Sequence, residues 1–260
     1  MQLYARVAWF SFSSFITYPF ELLASLLKPF VGLGLQLVFW AIVVASAPGT
    51  ISYRSLVAYF LIGTGITTLV LANDFKFGSF LARAIKFGTI NSKLIKPVSV
   101  PQYVLAECLG QMGVRWLVAA GFVISGMLIQ PPRDVVSLGI GLLLLVEAAC
   151  VSYGLNLAIG TVAFYTTEAS GIKNVVTHIS GVFSGLIVPL ALFPPLLRGI
   201  ALWLPFAALT YAPASVLSHS SFATDPLMSL LRGGLWSVVL VVGARWWWQR
   251  SLRNYEAVGL

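Results

Sequence analysis

The chain has 260 residues, of which 58% are hydrophobic and only 9% charged, with a net charge of +8. Soluble domains run near 45–50% apolar and ~25% charged, and eight acids with sixteen bases cannot cover the surface of a water-soluble fold this size. The same figures exclude disorder, which needs low hydrophobicity and high charge.

A helix crosses the ~30 Å hydrocarbon core with about 20 residues, so the length accommodates about six spans. The chain begins with an aromatic and hydroxyl-rich stretch, 1–18, holding Tyr4, Trp9, Phe10, Phe12 and Phe15 among Ser11, Ser13 and Ser14. That mixture suits a helix in the membrane interface. With one base, Arg6, and no small-x-small site, it is not a signal peptide. The first span is expected over 21–47, with Lys28-Pro29 interrupting it near one end, where the lysine can snorkel. The turn Ala47-Pro48-Gly49-Thr50 closes it. The second span covers 55–72 and ends at Asn73-Asp74. A basic loop, 76–100, carries Lys76, Arg83, Lys86, Lys93 and Lys96 and no acid. Spans follow at 101–129, 135–164, 172–193 and 226–248. Between the last two, Pro189, Pro194, Pro195, Pro205 and Pro213 break an apolar stretch, so 194–217 reads as re-entrant helices on the outer side. Such backbone is tolerated at depth only where protein or a wet cavity satisfies it.

With both termini inside, ten bases lie at the cytoplasmic face and four at the outer face, which orients the chain by the positive-inside rule. This bias accounts for the net charge, and no basic face with interleaved aromatics points to nucleic acid. Cys108 and Cys150 fall in apolar segments and read as small hydrophobes. No C-x-x-C or His-rich spacing argues for a metal.

Three intramembrane charges stand out. Arg115 and Glu147 fall at similar depth in the third and fourth spans, so an ion pair between them is expected. Glu107, two turns before Arg115 on nearly the same face, competes as its partner. The pair either locks two spans together or senses substrate or a proton. His178 in the fifth span is a packing residue or a proton relay, and Ser180-Gly181 with Ser184-Gly185 gives a small-residue spacing for close helix approach. Ser184 is not a protease nucleophile, since Gly181-Val182-Phe183-Ser184-Gly185 is not G-x-S-x-G. No G-x-x-x-x-G-K-[ST] occurs, so ATP held by that motif belongs to another chain. In the basic loop, Phe77, Phe80, Leu81, Ile85 and Phe87 interleave with Lys76, Arg83 and Lys86, an amphipathic helix suited to anionic lipid or to a cytoplasmic partner.

Four segments together resemble the membrane subunits of type-2 ABC exporters, in the branch of small stand-alone prokaryotic permeases. They are Tyr18-Pro19-Phe20-Glu21 before a long aromatic span; Gly88 through Ser99, with Leu94 and Pro97 in the family's pattern; Ser184-Gly185-Leu186-Ile187-Val188-Pro189-Leu190 followed by Phe193-Pro194 and Leu204-Pro205-Phe206; and the tail Tyr255-Glu256-Ala257-Val258-Gly259-Leu260. The resemblance implies an all-α integral membrane protein of six transmembrane helices with an N-terminal interfacial helix. It implies coupling helices after span two and between spans four and five, so that Phe80, Arg83, Lys86, Phe87 and Glu168 meet the ATPase. Spans one, two and five would line the path or the dimer seam, giving Phe39, Trp40, Thr64, Thr67, Thr68, His178, Ser180 and Ser184 as candidates. The implied assembly pairs two permeases, identical or paralogous, with two cytoplasmic ATPase subunits that hold ATP and Mg. The chain itself would bind no cofactor and be no enzyme. The implied setting is a prokaryotic cytoplasmic (inner) membrane, and the implied function is efflux of drugs or other amphiphilic, toxic compounds by alternating access. Export of lipid or lipid-linked glycan is the variant of that reading. A stand-alone ion-coupled transporter using Glu107, Arg115, Glu147 and His178 is its rival.

Overall fold

The computed structural model describes residues 2–46, 51–70, 76–95, 97–166, 168–219, 222 and 225–255. Among these the chain is all-α, with no strand. The expected span ends at Ala47 and at Leu71-Ala72, the turns 47–50 and 73–74, Lys96 and the tail 256–260 lie outside the described residues.

Helix α1 (Gln2–Ile16) lies against α6 (Val100–Gln111). Helix α2 (Pro19–Ser46) is a 28-residue helix that runs through Pro29 without ending there. Helix α3 (Tyr53–Leu69) is the centre of the molecule: Leu56, Ala58, Tyr59, Phe60, Ile62 and Ile66 are all fully buried. Helices α4 (Lys76–Lys86) and α5 (Asn91–Leu94) follow. The expected third span is not one straight helix. It is α6 and α7 (Gly113–Ile129), bent by 66° at Met112. Gly110, Met112 and Gly113 crowd the break, and Phe12 of α1 occupies the space where a side chain at Gly113 would go.

Helix α8 (Val135–Val162) is capped by Asp134, whose carboxylate accepts from the Ser137 N–H at 2.7 Å. It packs along α13 (Pro226–Arg253), capped in turn by Asp225 with Pro226 at the first helical position. By length and composition α2, α8 and α13 are each long and apolar enough to cross a membrane, and the bent α6–α7 pair makes a fourth candidate.

The expected span 172–193 also differs. Helix α9 (Ala169–Phe183) stops ten residues short, because Gly185 takes φ +74° and Pro189 follows. A left-handed φ is open to glycine at little cost. The chain continues through a short 3₁₀ turn, Leu190–Leu192, into α10 (Pro195–Trp203), α11 (Phe206–Leu209) and α12 (Tyr211–Leu217).

Carbonyls in and beside this broken stretch are met by side chains from the surrounding helices, from the end of α7 and from α12 itself. Tyr59 Oη donates to Gly185 O at 2.8 Å. Gln36 Nε2 donates to Leu186 O, and Trp40 Nε1 to Ile187 O at 3.3 Å. Trp236 Nε1 donates to Trp203 O, Gln130 Nε2 to His219 O, and Tyr211 Oη to Phe222 O, each at 2.8 Å. An unmet carbonyl in hydrocarbon costs several kcal/mol, so these donors are what make the irregular segment compatible with a membrane.

Candidate functional site

A cleft of about 900 Å³ opens between α2, α3 and the α6–α7 break. Its α2 wall runs from Glu21 to Trp40. The nineteen steps between them, at 1.5 Å each, give about 28 Å, close to the thickness of a hydrocarbon core. Thr64, Thr67 and Thr68 line it from one face of α3, as their i, i+3, i+4 spacing dictates. Thr67 and Thr68 donate their hydroxyl protons back to the helix, to Gly63 O and Thr64 O, so toward the cleft they present methyls and lone pairs. Phe39 and Trp40 stand edge to face at 5.7 Å, with Leu186 and Ile187 of the broken segment beside the indole. Glu21, Lys28, Lys76 and Arg115 also line this cleft.

Five of the eight residues expected on the path therefore share one cavity: Phe39, Trp40, Thr64, Thr67 and Thr68. His178, Ser180 and Ser184 do not line it. Ser180 donates to Thr177 O at 2.9 Å, and Ser184 Oγ accepts from the Leu186 N–H at 3.4 Å, closing the end of α9. His178 is exposed on the outward face of α9, in one stripe with Val175, Ile179 and Val182.

The expected charge cluster comes apart. Glu147 does not pair with Arg115, because α7 packs on α3 while α8 packs on α13. Arg115 reaches the cleft, its guanidinium 5.1 Å over the Phe15 ring. Glu147 lies against Gly233 and Gly234 of α13, with Oε2 buried and accepting no hydrogen bond among the described residues. Glu107 pairs with Lys93 at 2.7 Å, and that ammonium also sits 4.8 Å over the Tyr103 ring. Glu107 lines a second cavity of about 540 Å³ beside α1, which meets the main cleft at Glu21.

Helix α4 buries Phe77, Leu81, Ala84 and Ile85 against α8 and turns Arg83, Lys86 and Phe87 outward. Phe77 stacks on Tyr153 at 5.6 Å. Asn156, 1% exposed, fixes the helix start: its Oδ1 accepts from the Gly78 N–H at 3.0 Å while its Nδ2 donates to Ser152 O. Arg83 lies 4.9 Å over the half-buried Phe80. Lys86 Nζ donates to Glu168 Oε1 at 3.0 Å, and Ser170 donates to the other carboxylate oxygen. The Lys86 hydrogen bond, then that of Ser170, holds the Glu168 carboxyl below the usual glutamate range. The five residues expected at a coupling surface thus gather at one end of the bundle.

Sequence reasoning missed Gln36 and Tyr59 as donors to the broken segment and Asn156 as an acceptor for α4, and it gave Lys28 and Lys76 no place on a path. Gln36 and Asn156 were visible as amides inside apolar spans; Tyr59 carried no such signal. Among the described residues no three His, Cys, Asp or Glu side chains gather as a metal site.

Against known families, residues 30–259 match the model of the ABC-2 family transporter protein. No match is found among curated proteins. The match spans most of a chain already seen to be a bundle of long apolar helices around a deep cleft. The chain belongs to the ABC-2 family of transporter proteins and is a membrane-embedded permease, the kind of component that carries no ATPase site of its own.

Proposed function

We propose that the chain is the permease subunit of an ATP-driven exporter that moves amphiphilic compounds, drugs or other toxic molecules among them, out of the cell by alternating access. The cleft carries this reading. It is as long as a membrane is thick, aromatic and apolar toward Trp40, and polar toward Lys76. That is the profile of a path for molecules with a wet end and a greasy end. Its length suits a lipid or a lipid-linked glycan equally, so lipid export by the same machinery is the variant reading.

The surface of Phe80, Arg83, Lys86, Phe87 and Glu168 receives the push of a cytoplasmic ATPase pair, on which ATP and Mg reside. Rigid seating of α4 on α8 through Phe77, Leu81 and Asn156 carries that push into the bundle. The outward apolar faces of α2 and α9 fit a second permease subunit, with His178 in that seam. The distribution of bases supports both termini being cytoplasmic, and the family supports the cytoplasmic (inner) membrane of a prokaryote as the setting. The ion-coupled alternative gains no support from Glu107, Arg115 and Glu147, which face three different places.

The test is a pull-down from native membranes in mild detergent with mass spectrometry of stoichiometric partners. A cytoplasmic ATPase chain is expected, with or without a second permease. Recovery of this chain alone, even after cross-linking, overturns the reading.

A further inference from the structure

We propose that a cavity beside the end of α13, apart from the main cleft, holds the phosphate of an anionic phospholipid, with Arg245 as its principal contact. The cavity measures about 370 Å³ and lies between the start of α6, α8 and α13, a volume within the range of ligand pockets. Its floor is firm: Val100, Leu157 and Trp248 are each at most 5% exposed and pack in one core. Its rim is polar and exposed, formed by Ser99, Gln102, Arg245 and Gln249. Ser99 precedes α6 without capping it, so its hydroxyl is not spent on the helix. Arg245 pairs with no acid among the described residues, and its guanidinium lies 5.8 Å over the Tyr153 ring. No acid lines the cavity among the described residues.

Depth and the surface beneath the site point to a lipid. From Pro226 to Arg245 the helix makes nineteen steps, about 28 Å, one hydrocarbon thickness. The guanidinium therefore stands at headgroup level, beside the exposed Trp246. Val242, Val238, Leu235 and Leu231 stand three, seven, ten and fourteen residues before Arg245, on the same face of α13, and all four are exposed. They form a continuous apolar stripe along which an acyl chain can lie below its phosphate. Basic pockets between membrane helices on the cytoplasmic side suit phosphate headgroups, and the planar arginine fork meets two phosphate oxygens at once. The rest of the rim chooses the headgroup. Amides and a hydroxyl can bond to a glycerol headgroup. An ammonium headgroup finds no carboxylate, and the Tyr153 face is already taken by Arg245. Placing the site in the cytoplasmic leaflet rests on the orientation proposed above; the binding chemistry does not.

The experiment uses the full chain purified in a neutral maltoside detergent. Dioleoylphosphatidylglycerol, dioleoylphosphatidylethanolamine and glycerol 3-phosphate are titrated, and the first binding step is read by native mass spectrometry. The glycerol lipid is expected to bind about fivefold tighter than the ethanolamine lipid, the worth of one basic residue at an anionic headgroup. Arg245→Gln is expected to erase that preference. Gln249→Glu, which sets an acid on the rim at an exposed position, is expected to reverse it, and it keeps the test readable if the first variant fails to fold. Arg250, whose guanidinium lies over Trp246, does not line the cavity, so Arg250→Gln is expected to leave both affinities unchanged. Equal affinities in the parent, or a preference unmoved by Arg245→Gln and Gln249→Glu, overturn the proposal. So does an equal loss in Arg250→Gln, which would mark diffuse charge at the helix end. Displacement of the lipid by glycerol 3-phosphate at matching concentration would mark a free-anion site and overturn it too. These readings need no ATPase, so failure here is distinct from failure of the pull-down.

Discussion

Lys86 and Glu168 join two connectors that lie 82 residues apart in the chain: the helix after α3 and the link between α8 and α9. The pair is well exposed, at 44% and 72% of the side chains. Exposed pairs add little to stability, so this one is better understood as a tie that makes two contact points move as one. Glu168→Lys is expected to leave thermal stability unchanged while lowering ATP-driven transport, and the swap Lys86→Glu with Glu168→Lys is expected to restore part of it. Transport by the single variant equal to the parent would refute the tie. The pH dependence has a definite sign. Lys86 holds the Glu168 carboxyl below its ordinary 4.5, so the tie is complete above that value and is lost as pH falls through the lowered one. Between pH 6 and 8 no change from this pair is expected.

Asn156 is where α4 is fastened to the bundle. Its carboxamide serves Gly78 N–H and Ser152 O at once from a fully buried position. Asn156→Leu strands the Gly78 N–H, and a buried unmet donor costs about 1–3 kcal/mol. A fall of several degrees in the unfolding midpoint is expected, read by fluorescence-detected size exclusion after heating. Gly78→Ala should be at least as damaging, because its Cβ would stand 2.4 Å from Asn156 O. A midpoint within a degree of the parent for both variants would show that α4 is seated by its apolar face alone.

Tyr59 does the same service for the broken segment. Its hydroxyl, buried at 0% exposure, reaches Gly185 O where the chain leaves α9. Tyr59→Phe leaves that carbonyl unmet and is expected to cost about 1–3 kcal/mol. Gly185→Ala adds a second penalty, since φ +74° is strained for any L side chain and the new Cβ would stand 2.8 Å from Tyr59 Oη. Limited proteolysis after Phe183 should therefore rank the parent slowest, Tyr59→Phe next and Gly185→Ala fastest. Equal rates for all three would show that the segment is held by packing instead.

Much of this architecture was legible because the bilayer imposes a simple code. Long apolar runs from α2, α8 and α13 announced themselves, and the proline series at 189–213 announced the broken segment. The amphipathic alternation of Phe77, Leu81 and Ile85 with Arg83 and Lys86 marked an apolar face on α4, but not that α8 of the same chain covers it or that Phe87 stays exposed. Arg115 and Glu147 were matched by counting along their spans, and that count says nothing of helix contacts. Neighbourhood was not legible: two residues at equal depth meet only if their helices touch, and hydropathy carries no record of which helix packs on which. The 66° bend was hidden for a related reason. Gly110, Met112 and Gly113 break no composition rule, and the bend follows from α1 pressing on α6 and on Gly113. Lys28 read as an ordinary helix-end lysine, and nothing in its spacing showed that it stands on the wall of the cleft.

Glu147 poses the sharpest test of function against stability. It stands against Gly233 and Gly234, with one oxygen buried and without a hydrogen bond among the described residues. An acid in that position costs stability unless it is paired. Replacing such a group by an apolar side chain of similar size is commonly neutral or stabilising. Glu147→Leu is therefore expected to raise the unfolding midpoint by a few degrees in detergent. The informative result is transport by Glu147→Leu. If the variant is more stable and still exports, the acid is a tolerated burden on the α8–α13 contact. If it is more stable and inactive, the carboxylate works in the transport cycle, and its stability cost is kept for that reason.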